Sequence, residues 1–378
     1  MRVVQLVPEM SQGGVERGVV EENRAFVKTG TVDNWVVART GDLLEQIVQD
    51  GGHALRLDVK SKNPLTFFSR ARKLRLAYES IKPDLVVVHS RVPGWLHLYA
   101  NRKLRIPTIA FPHGLNSPGR YSRIMTRGDL IMTPSKAVAE HIMHHYGVCE
   151  SKIRIIPRAI DRDKFDTSNL DTAFIAAKRL EWGLEGRYTV MGLGRITQLK
   201  GYDTLLRAAA IAVKRIPELK VVIVGEAEEL RREYFEELLK LRASLGLDET
   251  VVFAGRQTKA AECLSMADVV VSSNTRKPEA FGRSMAEALA MGKPVVAVRF
   301  GGALDIVEDG VNGVFVDVVK DGPRADALRA EKLAEAILKV RAMHFGDLRT
   351  PALEKFSFEK MVSSTLAVYR EAVALRTR

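Results

Sequence analysis

The chain has 378 residues, 46% of them hydrophobic and 28% charged, with a formal net charge of +12. This is a globular composition that excludes a disordered or collagen-like chain, and no apolar run reaches the roughly 18 residues of a membrane-spanning helix. The two cysteines, Cys149 and Cys263, stand far apart, so a disulfide framework is set aside in favour of two reduced core thiols in helical segments.

The first segment, "RVVQLV", reads as a strand rather than the apolar core of a leader peptide, and a cytoplasmic protein is the expectation. "NWVVA", "ALRLDV", "DLVVVHS", "PTIAF", "DLIMTPS" and "KIRIIP" follow as further strands. Most are rich in Val and Ile with little polar alternation, as in a parallel sheet covered on both faces. Amphipathic stretches lie between them. One is "VERGVVEENRAFVKTG", with Gly30 as its stop. The pattern weakens over 161–186 and then restarts with "RYTVMGLG", "LKVVIVGE", "ETVVFAG", "ADVVVSS", "KPVVAVR" and "NGVFVDV". Two helical stretches close the chain. The expected fold is α/β, with two doubly wound Rossmann-like domains facing across a cleft. The first spans 1–165 and takes back a C-terminal helix at about 357–378. The second spans 185–350.

Charge is uneven. Residues 1–170 carry a net +9 and the remainder +3. A basic first half suits an anionic partner, namely a phosphorylated substrate, an acidic membrane surface or nucleic acid, or it is only the charge of a soluble basic protein.

Ligands of such sheets sit beyond the carboxyl ends of the strands. Gly13 and Gly14 follow the first strand and precede a helix, where backbone can approach an anion. They do not form G-x-G-x-x-G, so a nicotinamide dinucleotide is not indicated, and a plain tight turn also fits. His113, in "FPHG", ends a strand and could bond a substrate hydroxyl or shuttle a proton. It could equally be a loop histidine without a role. His89 ends another strand with a weaker claim. His141 and His145 are spaced to share a metal, but no third ligand completes a site, and a solvated helix face is preferred.

In "GLGRITQLKGYDTLLRAA", Gly192 and Gly194 end a strand, Arg195 and Lys200 flank a loop, and a helix begins near Tyr202. Two cations beside a helix N-terminus make a diphosphate clamp that needs no metal. In "RKPEAFGRSMAEALAMGKPVVA", Glu279 precedes a helix starting near Gly282 or Arg283, and Glu287 lies two turns on. Carboxylates accept pairs of hydrogen bonds from adjacent hydroxyls. A capping glutamate and a surface glutamate also fit.

Together these segments resemble the retaining glycosyltransferases of family 4, with the GT-B fold. The likeness runs through "FPHG", "IPRAID", "GRITQLKGYDTLLRAAA", "VVIVGE", "VVFAG", "EAFGRSMAEALAMGKPVVA", "GGALDIVEDGVNGVFV" and "FSFEKMVSSTLAVYREA". The resemblance implies that Arg195 and Lys200 bind the donor diphosphate and Glu287 the nucleotide ribose. Glu279 and the backbone of Ala280, Phe281 and Gly282 would hold donor-sugar hydroxyls. Gly13 and Gly14 would close over the donor, and His113 would lie near its sugar. Gly194, Gly225 and Arg256 would border the nucleotide. Where many relatives read I-P-N-G-V-D, this chain reads Ile156-Pro157-Arg158-Ala159-Ile160-Asp161. The D-x-D of Asp161 and Asp163 falls in that linker and is not taken as a metal site.

The implied activity is transfer of a sugar from a nucleotide-diphosphate sugar, UDP-sugar favoured, to a glycan or lipid-linked acceptor, without metal or other cofactor. Motif likeness points to lipopolysaccharide or surface-polysaccharide synthesis. "FFSRARKLRL" (67–76) and "RYSRIMTR" (120–127) mix cations with apolar residues, as a peripheral contact with an anionic membrane would; solvated helix faces fit as well. Two competing readings are a nucleotide-sugar epimerase of similar fold and a noncatalytic nucleotide-sugar-binding protein. Nucleic acid ranks last, because the basic residues follow no nucleic-acid motif.

Overall fold

A computed structural model describes residues 1–11, 13–227 and 232–377. The chain divides into two compact units: unit 1 is Met1–Arg158 with Glu359–Arg378, and unit 2 is Ala159–Phe358.

Unit 1 holds a seven-stranded parallel sheet in the order β3-β2-β1-β4-β5-β6-β7. Its strands are β1 (Arg2–Leu6), β2 (Asp33–Ala38), β3 (His53–Arg56), β4 (Leu85–Val88), β5 (Thr108–Ala110), β6 (Leu130–Thr133) and β7 (Ile153–Ile155). β4 and β6 are buried along their whole length, as expected for a sheet with helices on both faces. β3 stops at Arg56, short of the expected "ALRLDV". Beyond it Asp58 turns back to accept from the backbone N–H of Lys60 and Ser61, which ends the extended run.

Unit 2 holds a six-stranded parallel sheet in the order β10-β9-β8-β11-β12-β13. These strands are β8 (Tyr188–Leu193), β9 (Leu219–Val224), β10 (Val251–Gly255), β11 (Val269–Ser272), β12 (Val295–Val298) and β13 (Gly313–Val316). The polar stretch before β8 belongs to this unit, because Phe165, Trp182 and Leu184 are buried in its core. Both sheets reverse direction of growth once, at β1/β4 and at β8/β11. Helices leave to opposite faces there, and the strand ends splay into a crevice.

The helix Gly14–Thr29 shows why local pattern succeeds. Gly18, Val19, Glu22, Asn23, Ala25 and Phe26 form one buried stripe, and Gly30 ends the helix in the left-handed region at φ 61°. The helix Phe358–Thr377 brings the chain back into unit 1, where Leu366, Tyr369 and Ala372 are buried and Glu371 pairs with Arg154.

The two thiols differ from expectation. Cys263 is buried in the helix Ala260–Ser265, whereas Cys149 is exposed and lies past the helix Lys136–Tyr146, which Gly147 ends at φ 65°. Asp161, of the D-x-D, caps a turn by accepting from the backbone of Asp163 and Lys164.

Candidate functional site

In unit 2 the loops after β8 and β11 flank the reversal point and are stitched together. Ser273 Oγ donates to the carbonyl of Lys200 at 2.8 Å, and Asn274 Nδ2 donates to that of Leu199 at 2.9 Å. Thr204 and Thr275 share a hydroxyl hydrogen bond at 3.2 Å. Gly201 permits the approach: at φ 65°, a Cβ there would lie 2.0 Å from the carbonyl oxygen of Ser273. The turn Gln198–Lys200 leads directly into the helix Tyr202–Ala212, which fixes Lys200 at that helix's amino end.

Lys200 Nζ donates to Glu279 Oε1, and Asn274 Nδ2 reaches the same oxygen at 3.3 Å. The lysine stem lies against Gly194, where a Cβ would come within 2.8 Å of Lys200 Cε. Gly225 serves the same end, since its Cβ would stand 1.9 Å from the Gly194 carbonyl oxygen. Gly194 N–H donates to Val224 and Gly225 N–H to Gly255, so the ends of β8, β9 and β10 are laddered. Arg195 and Arg256 are both exposed on these loops.

The helix Arg283–Ala290 begins where sequence spacing places it, with Gly282 at φ 95° before it. Glu279 lies in the loop ahead of it, and Glu287 is within it, paired with Arg283 at 3.5 Å. Phe281 turns its ring into the core, 5.5 Å from that of Phe356, so only its backbone and that of its neighbours is open to a ligand role. Gly302 packs on it: a Cβ there would lie 2.3 Å from the Phe281 carbonyl oxygen, and Gly302 N–H donates to the Glu279 carbonyl. Ala280 is half-buried in the same loop.

In unit 1, Gly13 caps the helix Gly14–Thr29 directly after the β1 loop, while Gln12 between them lies outside the described residues. His89 and His113 follow β4 and β5 with rings stacked at 5.0 Å. His113 is half-buried, and both its ring nitrogens are engaged. Nε2 is 2.8 Å from His89 Nδ1, and Nδ1 accepts from Arg158 Nη2 at 2.8 Å. Burial first, and the Arg158 charge second, hold its basicity well below the ordinary imidazole range, and the same causes push His89 down to about 3. Both rings are therefore neutral at pH 7. His141 Nε2 is bonded to the Asn116 carbonyl at 2.8 Å. Among the described residues no group of three or more His, Cys, Asp and Glu could hold a metal ion.

The structure thus brings Lys200 and Glu279 together, and joins the Gly194 and Gly225 loops beside them. Sequence reading passed over Ser273, Asn274 and Thr275, all buried and all bonded to the lysine loop or its helix. Their signal was visible: a polar "SSNT" directly after a fully apolar strand, where a surface loop needs no buried side chains. It also passed over Glu22 and gave Arg158 no partner.

Residues 12–164 match the family described as Glycosyltransferase Family 4, and residues 176–339 match Glycosyl transferases group 1. The chain is 32% identical to a D-inositol 3-phosphate glycosyltransferase of Nocardioides sp., over 96% of this chain and 86% of the relative. A glycosyltransferase from Rickettsia africae superposes with a TM-score of 0.87 at 24% identity, covering 98% of each chain. Anabaena Alr3699/HepE, solved in complex with UDP and glucose, superposes at 0.80 with 20% identity, covering 97% of this chain and 99% of that one. At those identities the two structural likenesses concern the fold.

Proposed function

The chain belongs to glycosyltransferase family 4, and from that premise we propose a retaining transfer of a sugar from a nucleotide-diphosphate donor to a hydroxyl acceptor. The observation that carries the site assignment is the Lys200–Glu279 contact at the β8/β11 reversal. A cation held there, at a helix amino end, suits a diphosphate. A carboxylate beside it suits the hydroxyls of the attached sugar.

In this reading Lys200 and Arg195 hold the donor diphosphate, and Glu287 accepts from the ribose. Glu279 and the backbone of Ala280, Phe281 and Gly282 take the sugar hydroxyls. Gly194, Gly225 and Arg256 border the nucleotide, and Gly13 and Gly14 close on the donor. His113 stands near the donor sugar and acts through its bonded neighbours. The bond from the anomeric carbon to the phosphate oxygen breaks, the acceptor oxygen bonds to that carbon from the same face, and the departing phosphate takes the acceptor proton. Negative charge grows on the phosphate, and fixed cations stabilise it there more than in the ground state. The two cations supply that charge without a metal.

UDP is the favoured nucleotide, a choice supported by the HepE neighbour with UDP. The acceptor is a glycan or lipid-linked hydroxyl compound of surface-polysaccharide or lipopolysaccharide synthesis. The relative's name adds a phosphorylated cyclitol as an acceptor to assay, which suits the basic first half. A peripheral contact with anionic lipid is supported by an exposed patch in unit 1. Leu65, Phe68, Leu76 and Tyr99 are exposed there, with Arg72 and Lys73 beside them. Arg70 of the same stretch is not part of that patch: it is buried, holding the carbonyls of Asp58 and Asn63. Among the described residues no helix is long and apolar enough to cross a membrane.

A thermal-shift screen with UDP-, GDP- and ADP-sugars tests the reading. A donor at a hundred times its Kd stabilises by about 2.7 kcal/mol. Product analysis with and without acceptor then separates transfer from epimerisation. No shift with any nucleotide sugar overturns the proposal.

A further inference from the structure

Four side chains of unit 1 form one chain of contacts. Glu22 Oε1 is 3.5 Å from Arg158 Nη1, Arg158 Nη2 donates to His113 Nδ1, and His113 Nε2 meets His89 Nδ1. Glu22, Arg158 and His89 are each more than nine-tenths buried. The guanidinium also lies over the Phe111 ring at 4.9 Å. Space for it is made by Gly18, where a Cβ would stand 2.5 Å from Arg158 Nη1. The arrangement is therefore built from the helix Gly14–Thr29, the segment after β7 and the loops after β4 and β5.

The chemistry of these groups leaves one assignment of protons. A guanidinium has donors only and stays charged. His113 Nδ1 must then offer its lone pair, and a neutral His113 carries its proton on Nε2. That proton points at His89 Nδ1, which must accept. A neutral His89 then carries its own proton on Nε2. This last N–H is buried and has no partner among the described residues. A buried donor left without an acceptor is costly to the fold. His89 follows β4, which borders β1 at the reversal where this kind of sheet receives its ligand.

We propose that His89 Nε2–H is the hydrogen-bond donor that unit 1 offers to a substrate oxygen, and that Glu22, Arg158 and His113 are positioning residues that fix its tautomer. The proposal rests on the glycosyltransferase reading for the identity of the substrate as a sugar donor or hydroxyl acceptor. The arrangement also explains why a stripe of apolar helix residues contains a glutamate. Glu22 Oε1 is the oxygen that accepts from the buried guanidinium behind the two rings, at 3.5 Å.

Long-range proton–nitrogen spectra of the full protein at neutral pH read the tautomers directly, with His89→Phe and His113→Phe variants assigning the signals. Both rings are expected as the Nε2–H form. In steady-state transfer, His89→Phe is expected to lower kcat/KM roughly tenfold or more, and His89→Gln, which keeps an N–H near that position, to recover part of it. Arg158→Met should mix the tautomers and lower the rate, while Arg158→Lys, also a pure donor, should restore the single form. An Nδ1–H signal from His89, or wild-type transfer by His89→Phe, overturns the proposal and leaves the glycosyltransferase reading standing. Failure of the wild-type protein to turn over any nucleotide sugar removes that reading and the substrate role with it. The spectra decide the tautomers in either case.

Discussion

Replacing Lys200 with Met removes a charge and keeps the stem that packs against Gly194. In the free protein the lost contact is the one to Glu279. The Lys200 and Glu279 side chains are 21% and 14% exposed, between a surface pair and a buried one. Breaking the pair should cost about 1–2 kcal/mol, because Asn274 Nδ2 still reaches Glu279 and water can follow. The variant should therefore fold and melt a few degrees lower. Diphosphate binding should suffer more. A charge-assisted hydrogen bond contributes roughly 1.5–3 kcal/mol, or about 10- to 150-fold in Kd. Chemistry should suffer further, by roughly 10²–10³ in kcat, because the charge on the leaving phosphate is greatest in the transition state. The assay is calorimetric titration with whichever of UDP, GDP or ADP raises the wild-type melting temperature, followed by transfer kinetics. A folded Lys200→Met protein that binds the nucleotide within twofold of wild type would refute the clamp.

Two further substitutions probe the architecture. Gly225→Ala places a methyl 1.9 Å from the Gly194 carbonyl oxygen, so the loops after β8 and β9 must part. A loss of about 1–3 kcal/mol in denaturant unfolding, together with weakened nucleotide binding, is expected; unchanged values for both would show that the loops give way freely. Glu22→Gln tests the buried pair through pH. Burial pushes the Glu22 carboxyl up from 4.5 to about 7, with Arg158 pulling it part of the way back. A carboxyl raised on folding contributes stability that is full below its unfolded value and is lost as pH rises through about 7. That loss amounts to roughly 3 kcal/mol. Unfolding measured from pH 4.5 to 8 should therefore decline more for wild type than for Glu22→Gln, and the opposite slope would mean that the ionised pair stabilises the fold.

The strands and their order of appearance were legible because burial on both faces writes itself as Val- and Ile-rich runs such as "LVVV" and "LKVVIV". The helix boundaries at Gly30, Tyr202 and Arg283 were legible because glycines in the left-handed region mark them. What pairs with what was not. Glu22 and Arg158 are 136 positions apart, and Glu22 looks like any polar residue of an amphipathic helix until the guanidinium is placed beside it. Lys200 and Glu279 were each assigned to a ligand, and neither spacing nor composition states that they meet each other. The partners of Ser273 and Asn274 were hidden for the same reason, since their bonds reach more than 70 positions back. Cys149 was misjudged because Gly147 stops its helix two residues earlier.

The return of the helix Phe358–Thr377 into unit 1 sets an order of events during synthesis. Domains generally fold as units while the chain emerges. Residues 159–358 are complete as one continuous piece, whereas unit 1 begins first and is finished last. Until residues 359–376 arrive, Arg154 lacks Glu371, Asp129 lacks Arg376, and the surfaces that cover Tyr369 and Ala372 are bare. The half of the protein that carries His89 and His113 thus waits on unit 2 being translated, and a nascent chain ending at residue 358 would hold a complete unit 2 attached to an unfinished unit 1.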